Sequence, residues 1–262
     1  MNSRKMFVLL LFFCLCCALP AQDAKQLVQQ AVKAELAGDA NDHSCWIYHE
    51  VDRKPDSSVV QWVAETGKGS INRVVRKNGR QVPISEQRKQ VEAFIHDPAA
   101  QAKQREDGRH DDEQSASMLK MLPTAFIWKQ TSRNRWTTTF YFKPNPHFQP
   151  PNREARVFAA MEGEMTVNNE QHRIQELNGR LIHDVDFGFG LLGKLEAGGT
   201  FRVVRRQVGR GLWDITESHI HIHGHALIFK SISEEEDDVK TSWQRQPENV
   251  TLAQAAAAVM KK

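Results

Sequence analysis

The chain has 262 residues, with 35 Lys and Arg set against 32 Asp and Glu, for a formal net charge of +3 at pH 7. This near-neutral balance excludes the strongly basic face on which nucleic-acid binding depends. The length suits one domain able to bury a sizeable core.

The N terminus reads as an export signal. Arg4 and Lys5 form a short basic start, residues 6–19 an almost unbroken apolar run, and Leu19-Pro20-Ala21 a cleavage site before Gln22. A charged start, a short apolar stretch and a small residue at the cut are the marks of a removable signal peptide. The run is shorter than the ~20 apolar residues of a membrane span. Residues 1–21 are therefore expected to be removed, leaving 22–262 as one exported domain carrying about one net positive charge. Phe13, Leu15 and Cys16 precede Cys14, Cys16 and Cys17, a poor context for lipid attachment. Cys45 alone remains, so no internal disulfide can form and a buried thiol is expected.

Leu27, Val28, Ala31, Val32 and Leu36 recur at helical spacing, with Gly38 as a stop. Short β-rich runs at 45–51, 59–65 and 71–76 follow, punctuated by Gly67, Gly69 and Asn78-Gly79, and predict an antiparallel meander. A helical insert occupies 85–122. Ser85 is its expected cap, Val91, Phe94 and Ile95 its first apolar face, and Asp97-Pro98 a cap followed by proline. Residues 101–114 are very polar and predict a solvated helix or a loop. Apolar residues return at Met118, Leu119, Met121 and Leu122.

Strands are expected from 125 onward. Over 136–142, Trp136, Phe140 and Phe142 are assigned to one face. Pro144, Pro146, Pro150 and Pro151 make 143–151 an extended loop. Residues 156–167 alternate, with Val157, Ala159, Met161, Met165 and Val167 on one side, and Asn168-Asn169 turns the chain back. A strand is expected over 177–187, then a glycine-rich loop, then strands at 201–207 and 215–233 paired through a turn at Gly209 to Gly211. Thr251 and Gln254 form a capping box for a closing helix. Strands in sequence, with helices at both ends and one insert, imply an α+β fold with an antiparallel sheet.

Four histidines alternate in Ser218-His219-Ile220-His221-Ile222-His223-Gly224-His225 and would share one strand face, neighbours ~6.5 Å apart. A His-x-His pair on a strand can hold zinc if a third ligand converges, and His183 is one candidate. The plainer expectation is a polar outer face, with Ile220 and Ile222 turned to the core. The metal reading rests on His219, His221 and His223. The acidic run 234–238 lacks the glycine and alternating ligands of a calcium loop and reads as a solvated tip or edge. Arg202, Arg205, Arg206 and Arg210 read as a solvated face. No nucleophile elbow, zinc-protease helix, phosphate loop or dinucleotide fingerprint occurs, so no enzyme, catalytic residue or cofactor is expected. The large apolar residues in strands, Trp46 and Trp62 included, suit a core. They also suit the lining of a curved sheet that holds an apolar ligand.

The order of elements resembles the outer-membrane lipoprotein carriers of the LolA/LolB-like superfamily. The stretch 187–201 with its Phe-Gly-Phe-Gly start, together with His221-Ile222-His223-Gly224 and Leu227-Ile228-Phe229-Lys230, resembles uncharacterised exported bacterial proteins of that group. The resemblance implies an antiparallel sheet curved into an unclosed β-barrel, with N-terminal, inserted and C-terminal helices over its mouth. It further implies a carrier or sensor in the periplasm or at the outer membrane that binds a lipid or lipoprotein acyl chain. Trp136, Phe140, Phe142, Met161 and Met165 are the expected lining. The alternative is a sheet protein that binds a metal ion or a protein partner through its histidine face.

One outcome follows directly. N-terminal sequencing of the exported protein should read from Gln22, and a chain starting at an acylated Cys14, Cys16 or Cys17 would refute that cleavage.

Overall fold

The computed structural model describes residues 23–187, 193–226 and 235–262. The expected signal peptide with its three cysteines, Gly188 and Gly190 of the glycine loop, and the segment from Leu227 to Lys230 lie outside these residues.

Helix α1 (Ala24–Asn41) starts at Asp23, whose side chain accepts from the Lys25 amide, and buries Val28, Ala31 and Val32 as one stripe. It runs through Gly38, the expected stop. The glycine serves close packing instead, since a Cβ there would lie 2.1 Å from Nη1 of Arg173. Strands β1 (Cys45–Lys54), β2 (Ser57–Thr66), β3 (Gly69–Lys77) and the two-residue β4 (Arg80–Gln81) form the expected meander. Asn78 and Gly79, both at positive φ (49° and 76°), make the β3–β4 turn, the conformation for which Asn-Gly is favoured. Cys45 is buried and free.

In the insert, α2 (Ile84–Ile95) is preceded by Pro83 and gains no side-chain cap, so Ser85 lies inside the helix. Asp97 does cap α3 (Pro98–Ala125), accepting from the Ala100 amide at 2.9 Å. The polar stretch 101–114 is thus continuous helix. Ion pairs one turn apart, Lys103–Asp107 at 2.5 Å and Arg109–Glu113 at 2.6 Å, support it. Then come β5 (Phe126–Arg133), β6 (Thr137–Pro144), a 3-10 helix (Glu154–Ala160), β7 (Met161–Asn168), β8 (Ile174–Leu181), β9 (Val185–Phe187), β10 (Gly193–Leu195), β11 (Thr200–Gly209), β12 (Leu212–His221), β13 (Gly224–Ala226), β14 (Glu235–Gln246) and α4 (Leu252–Val259). The capping box of α4 is present, with Thr251 and Gln254 each accepting from the other's amide.

Further expectations need correction. Residues 156–160 are 3-10 helix rather than strand, which buries Ala155, Val157, Phe158 and Ala160 together. The run 215–233 is not one strand. β12 ends at His221, and β13 pairs with β10 in a separate three-stranded sheet of order β13-β10-β9. The acidic run is no solvated tip, since 235–238 open β14, a strand with neighbours on both sides.

The main sheet has eleven strands among the described residues, in the order β4-β3-β2-β1-β14-β12-β11-β8-β7-β6-β5. All its pairings are antiparallel. Its end strands β4 and β5 do not meet, so the sheet stays open: an α+β fold with an unclosed antiparallel sheet and N-terminal, inserted and C-terminal helices. Helices α2 and α4 pack on the outer face of β1–β3, over Ile47, Ala64 and Ile71. On the inner face, α1, the end of α3 and the 3-10 helix close the main core over β5–β8.

A buried carboxylate fixes α1 to that face. Glu35 has no exposed surface; its Oε2 lies 2.7 Å from Arg173 Nη2 and 3.2 Å from Arg205 Nη2, and its Oε1 accepts from the Ile174 amide at 2.6 Å. Arg205, read from sequence as a solvated cation, is thus mostly buried. Removing one partner of a buried pair leaves an uncompensated charge, typically at a cost of ~3–5 kcal/mol. Glu35→Ala should therefore lower the unfolding free energy in urea by about that amount, whereas a loss below ~1 kcal/mol would show that Arg173 and Arg205 do not depend on it.

Candidate functional site

Strand register lays out the inner face. One row of paired residues crosses it as Phe140, Met165, Leu177, Val203, Ser218, Asp238 and Asp52. A second row runs Phe142, Gly163, Gly179, Phe201, Ile220 and Glu236. Paired residues share a face, so these rows show how the surface changes from one end of the sheet to the other. Three zones result.

The first zone is solid core. Phe140 and Phe142 are 1% exposed and Met165 0%. Phe142 packs against Phe126 with ring centroids 4.6 Å apart, and Phe126 against Phe158 at 5.3 Å. Three of the five expected lining residues are therefore enclosed by side chains. Met161 sits at the margin of this cluster, half-buried. Trp136 does not share their face; it lies before β6, 62% exposed, under the Arg135 guanidinium.

The second zone is apolar but only partly covered. Leu177, Val203 and Ile220 are half-buried neighbours on β8, β11 and β12. Phe201 adjoins them, and its ring lies over Gly179, 2.8 Å from where a Cβ would sit. A side chain at Gly179 would lift that ring off the sheet.

The third zone is charged. Lys240 lies 3.9 Å from Glu50 and 3.6 Å from Asp238, and Lys54 lies 3.0 Å from Glu236 and 3.7 Å from Asp52. One oxygen each of Asp52 and Asp238 is buried with no hydrogen-bond partner among the described residues. Burial, with the surrounding carboxylates opposed by Lys240, pushes Asp238 up to about 6. Burial, with Asp214 nearby, raises Glu65 to about 7 although the Trp46 amide donates to it.

The outer face of the central strands is polar. Tyr141 and Arg180 both bind Glu162, and Arg202 bridges Glu176 and Glu217 at 2.9 Å each. A shallow hollow of about 840 Å³ lies over Gly163 and Gly179, with His219 and His221 at one margin. His219 pairs in register with Asp237 on β14. His219 Nδ1 lies 2.5 Å and His221 Nε2 3.2 Å from the same Asp237 oxygen.

The histidine row is therefore only partly one unit. His223 follows the end of β12 and lies 3.2 Å from Glu235. His183 bonds locally to the Asp184 carbonyl and does not join the His219, His221 and Asp237 group. Ile222 is buried, as expected, while Ile220 is half-buried. Sequence reasoning missed Asp237 because 234–238 was read as solvated; five consecutive acids carry no period of two, and only pairing with β1 and β12 makes them a strand.

No family model matches the chain, and no curated protein matches it in sequence.

The raised Glu65 has a consequence for stability. The folded state holds this proton more tightly than the unfolded chain, so stability contributed here rises as pH falls from above 7 toward the ordinary Glu value. The slope is at most ~1.4 kcal/mol per pH unit. Glu65→Gln should flatten the difference between urea midpoints measured near pH 7.5 and pH 5.5, and an unchanged difference would contradict it.

Proposed function

We propose that the exported domain is a non-enzymatic envelope protein that takes up a lipid or lipoprotein acyl chain on the inner face of its open sheet, as a carrier or sensor in the periplasm or at the outer membrane. The observation that carries this reading is the half-covered apolar strip of Leu177, Val203 and Ile220 beside Phe201. Apolar side chains left partly open next to a closed core offer a ligand surface to bury without unpacking that core. An acyl chain lying there would gain ~0.8 kcal/mol for each methylene removed from water. Met118, Met121 and Met161 border the same cluster, and their flexible thioethers adapt to irregular apolar shapes.

This places the proposed site next to, rather than within, the closed cluster of Phe140, Phe142 and Met165. Those side chains fill their space, and a ligand there would have to displace α1 or the end of α3. The charged zone at Asp52, Asp238 and Lys240 bounds the strip on its other side and is unsuited to an acyl tail. The LolA/LolB-like resemblance supports the reading by analogy alone.

Titration with a fluorescent fatty-acid analogue tests it. The wild type should show saturable binding. Val203→Glu should keep the fold by circular dichroism and weaken binding at least tenfold, whereas Met165→Glu should unfold the protein, because it buries a charge in a closed core. Absence of saturable binding by the wild type would overturn the proposal.

A further inference from the structure

The outer face carries a separate feature that the lipid reading does not use. We infer that His219, His221 and Asp237 form a binding site for a single divalent first-row transition-metal ion, with zinc the natural probe. One ring nitrogen each of His219 and His221 and a carboxylate oxygen of Asp237 all lie within 4.8 Å of one another, and Nδ1 of His219 and Nε2 of His221 are the nitrogens beside Asp237. They come from two paired strands: His219 and His221 alternate on β12, and Asp237 faces His219 across the β12–β14 ladder. The convergence thus follows from backbone register and not from a chance meeting of mobile side chains.

The donor set selects the ion. Two imidazoles and one carboxylate match the three-ligand sites of zinc and related ions, which take nitrogen at ~2.0–2.1 Å and leave a position open. Hard calcium or magnesium would want more oxygen ligands. The hollow beside His219 and His221 leaves room for a water or anionic ligand at the open position.

A second layer is already in place. Glu217 Oε2 lies 3.7 Å from Nε2 of His219, the ring nitrogen facing away from Asp237. Arg202 holds Glu217 at 2.9 Å. A carboxylate behind a ligating histidine fixes its tautomer and orientation. Without metal, His219 and His221 donate to Asp237. On binding, each ring ligates through the nitrogen that faced Asp237 and carries its proton on the other, that of His219 turned toward Glu217. Arg53 pairs in register with Asp237 on the opposite side and Arg206 lies 3.6 Å from Glu217; these cations oppose a metal ion, and the negative charges of Asp237 and Glu217 offset them.

The experiment uses the untagged chain, titrated calorimetrically with zinc and spectroscopically with cobalt. The expected result is one ion per chain and the intense visible bands of four-coordinate cobalt. His221→Gln and Asp237→Asn should abolish both signals with unchanged circular dichroism. Glu217→Gln should weaken zinc about 10–100-fold, as loss of a second-layer partner does, and His223→Gln should leave binding unchanged. Absence of saturable zinc binding by the wild type would overturn the inference. So would binding that survives His221→Gln and Asp237→Asn, or that depends on His223. Neither result bears on acyl-chain uptake, which uses the opposite face.

Discussion

The interaction on which the fold most depends is the burial of the Glu35 carboxylate between Arg173 and Arg205. An isolated charge in that position would be untenable, and two cations with a backbone amide are needed to hold it. Because Arg173 precedes β8 and Arg205 lies on β11, the cluster ties a single helix to two strands at once. It also explains Gly38, since the Arg173 guanidinium needs the space a side chain would take. With α1 held in place, its stripe of Val28, Ala31 and Val32 can close the apolar cluster over β5–β8. Hydrophobic burial supplies most of the driving force there; the ion cluster sets the position.

The inner face of the sheet is graded. A row that begins with closely packed Phe140 and Met165 passes through half-covered Leu177 and Val203 and ends at Asp238 and Asp52. The outer face is graded in the opposite sense: helices α2 and α4 cover its β1–β3 end, and its middle is polar and uncovered. Each face thus has one stretch that is neither core nor ordinary surface, and the two proposed sites occupy those stretches. One offers apolar area, the other charged and imidazole groups, so the two would serve ligands of unrelated chemistry.

Much of this was legible in the sequence, and the failures have physical causes. Alternation in 45–76 and the Asn78-Gly79 turn located the first meander, and Asp97-Pro98 and Thr251 with Gln254 located two helix starts. Alternation also assigned Phe140 with Phe142, and Met161 with Met165, to shared faces of their strands. It could not tell whether those faces were filled, because filling comes from Phe126 and Phe158, which are distant in sequence. β14 was missed because Glu235 to Asp238 have low intrinsic strand preference; tertiary pairing with β1 and β12, and cations at Lys54 and Lys240, overrule it. His219 and His221 stood out at once, while their structural partner, Asp237, was hidden by the same misreading. Residues 156–160 satisfied a two-residue period by coincidence, and only packing distinguishes that pattern from a 3-10 turn.

The pairing of β1 with β14 places the first long strand beside the last, at the middle of the sheet. Gln246 hydrogen-bonds the backbone of Trp46 across 200 residues of intervening chain. Such a contact carries a large loop-closure cost and is characteristic of slow folding. Until the C-terminal strand arrives, the meander β1–β4 presents the backbone donors and acceptors of β1 as a bare edge, a template for pairing with another chain. Synthesis from the N terminus would therefore produce a half-sheet that cannot complete itself, and a chain kept extended until its last residues are available would avoid the mispairing that a partly made sheet invites.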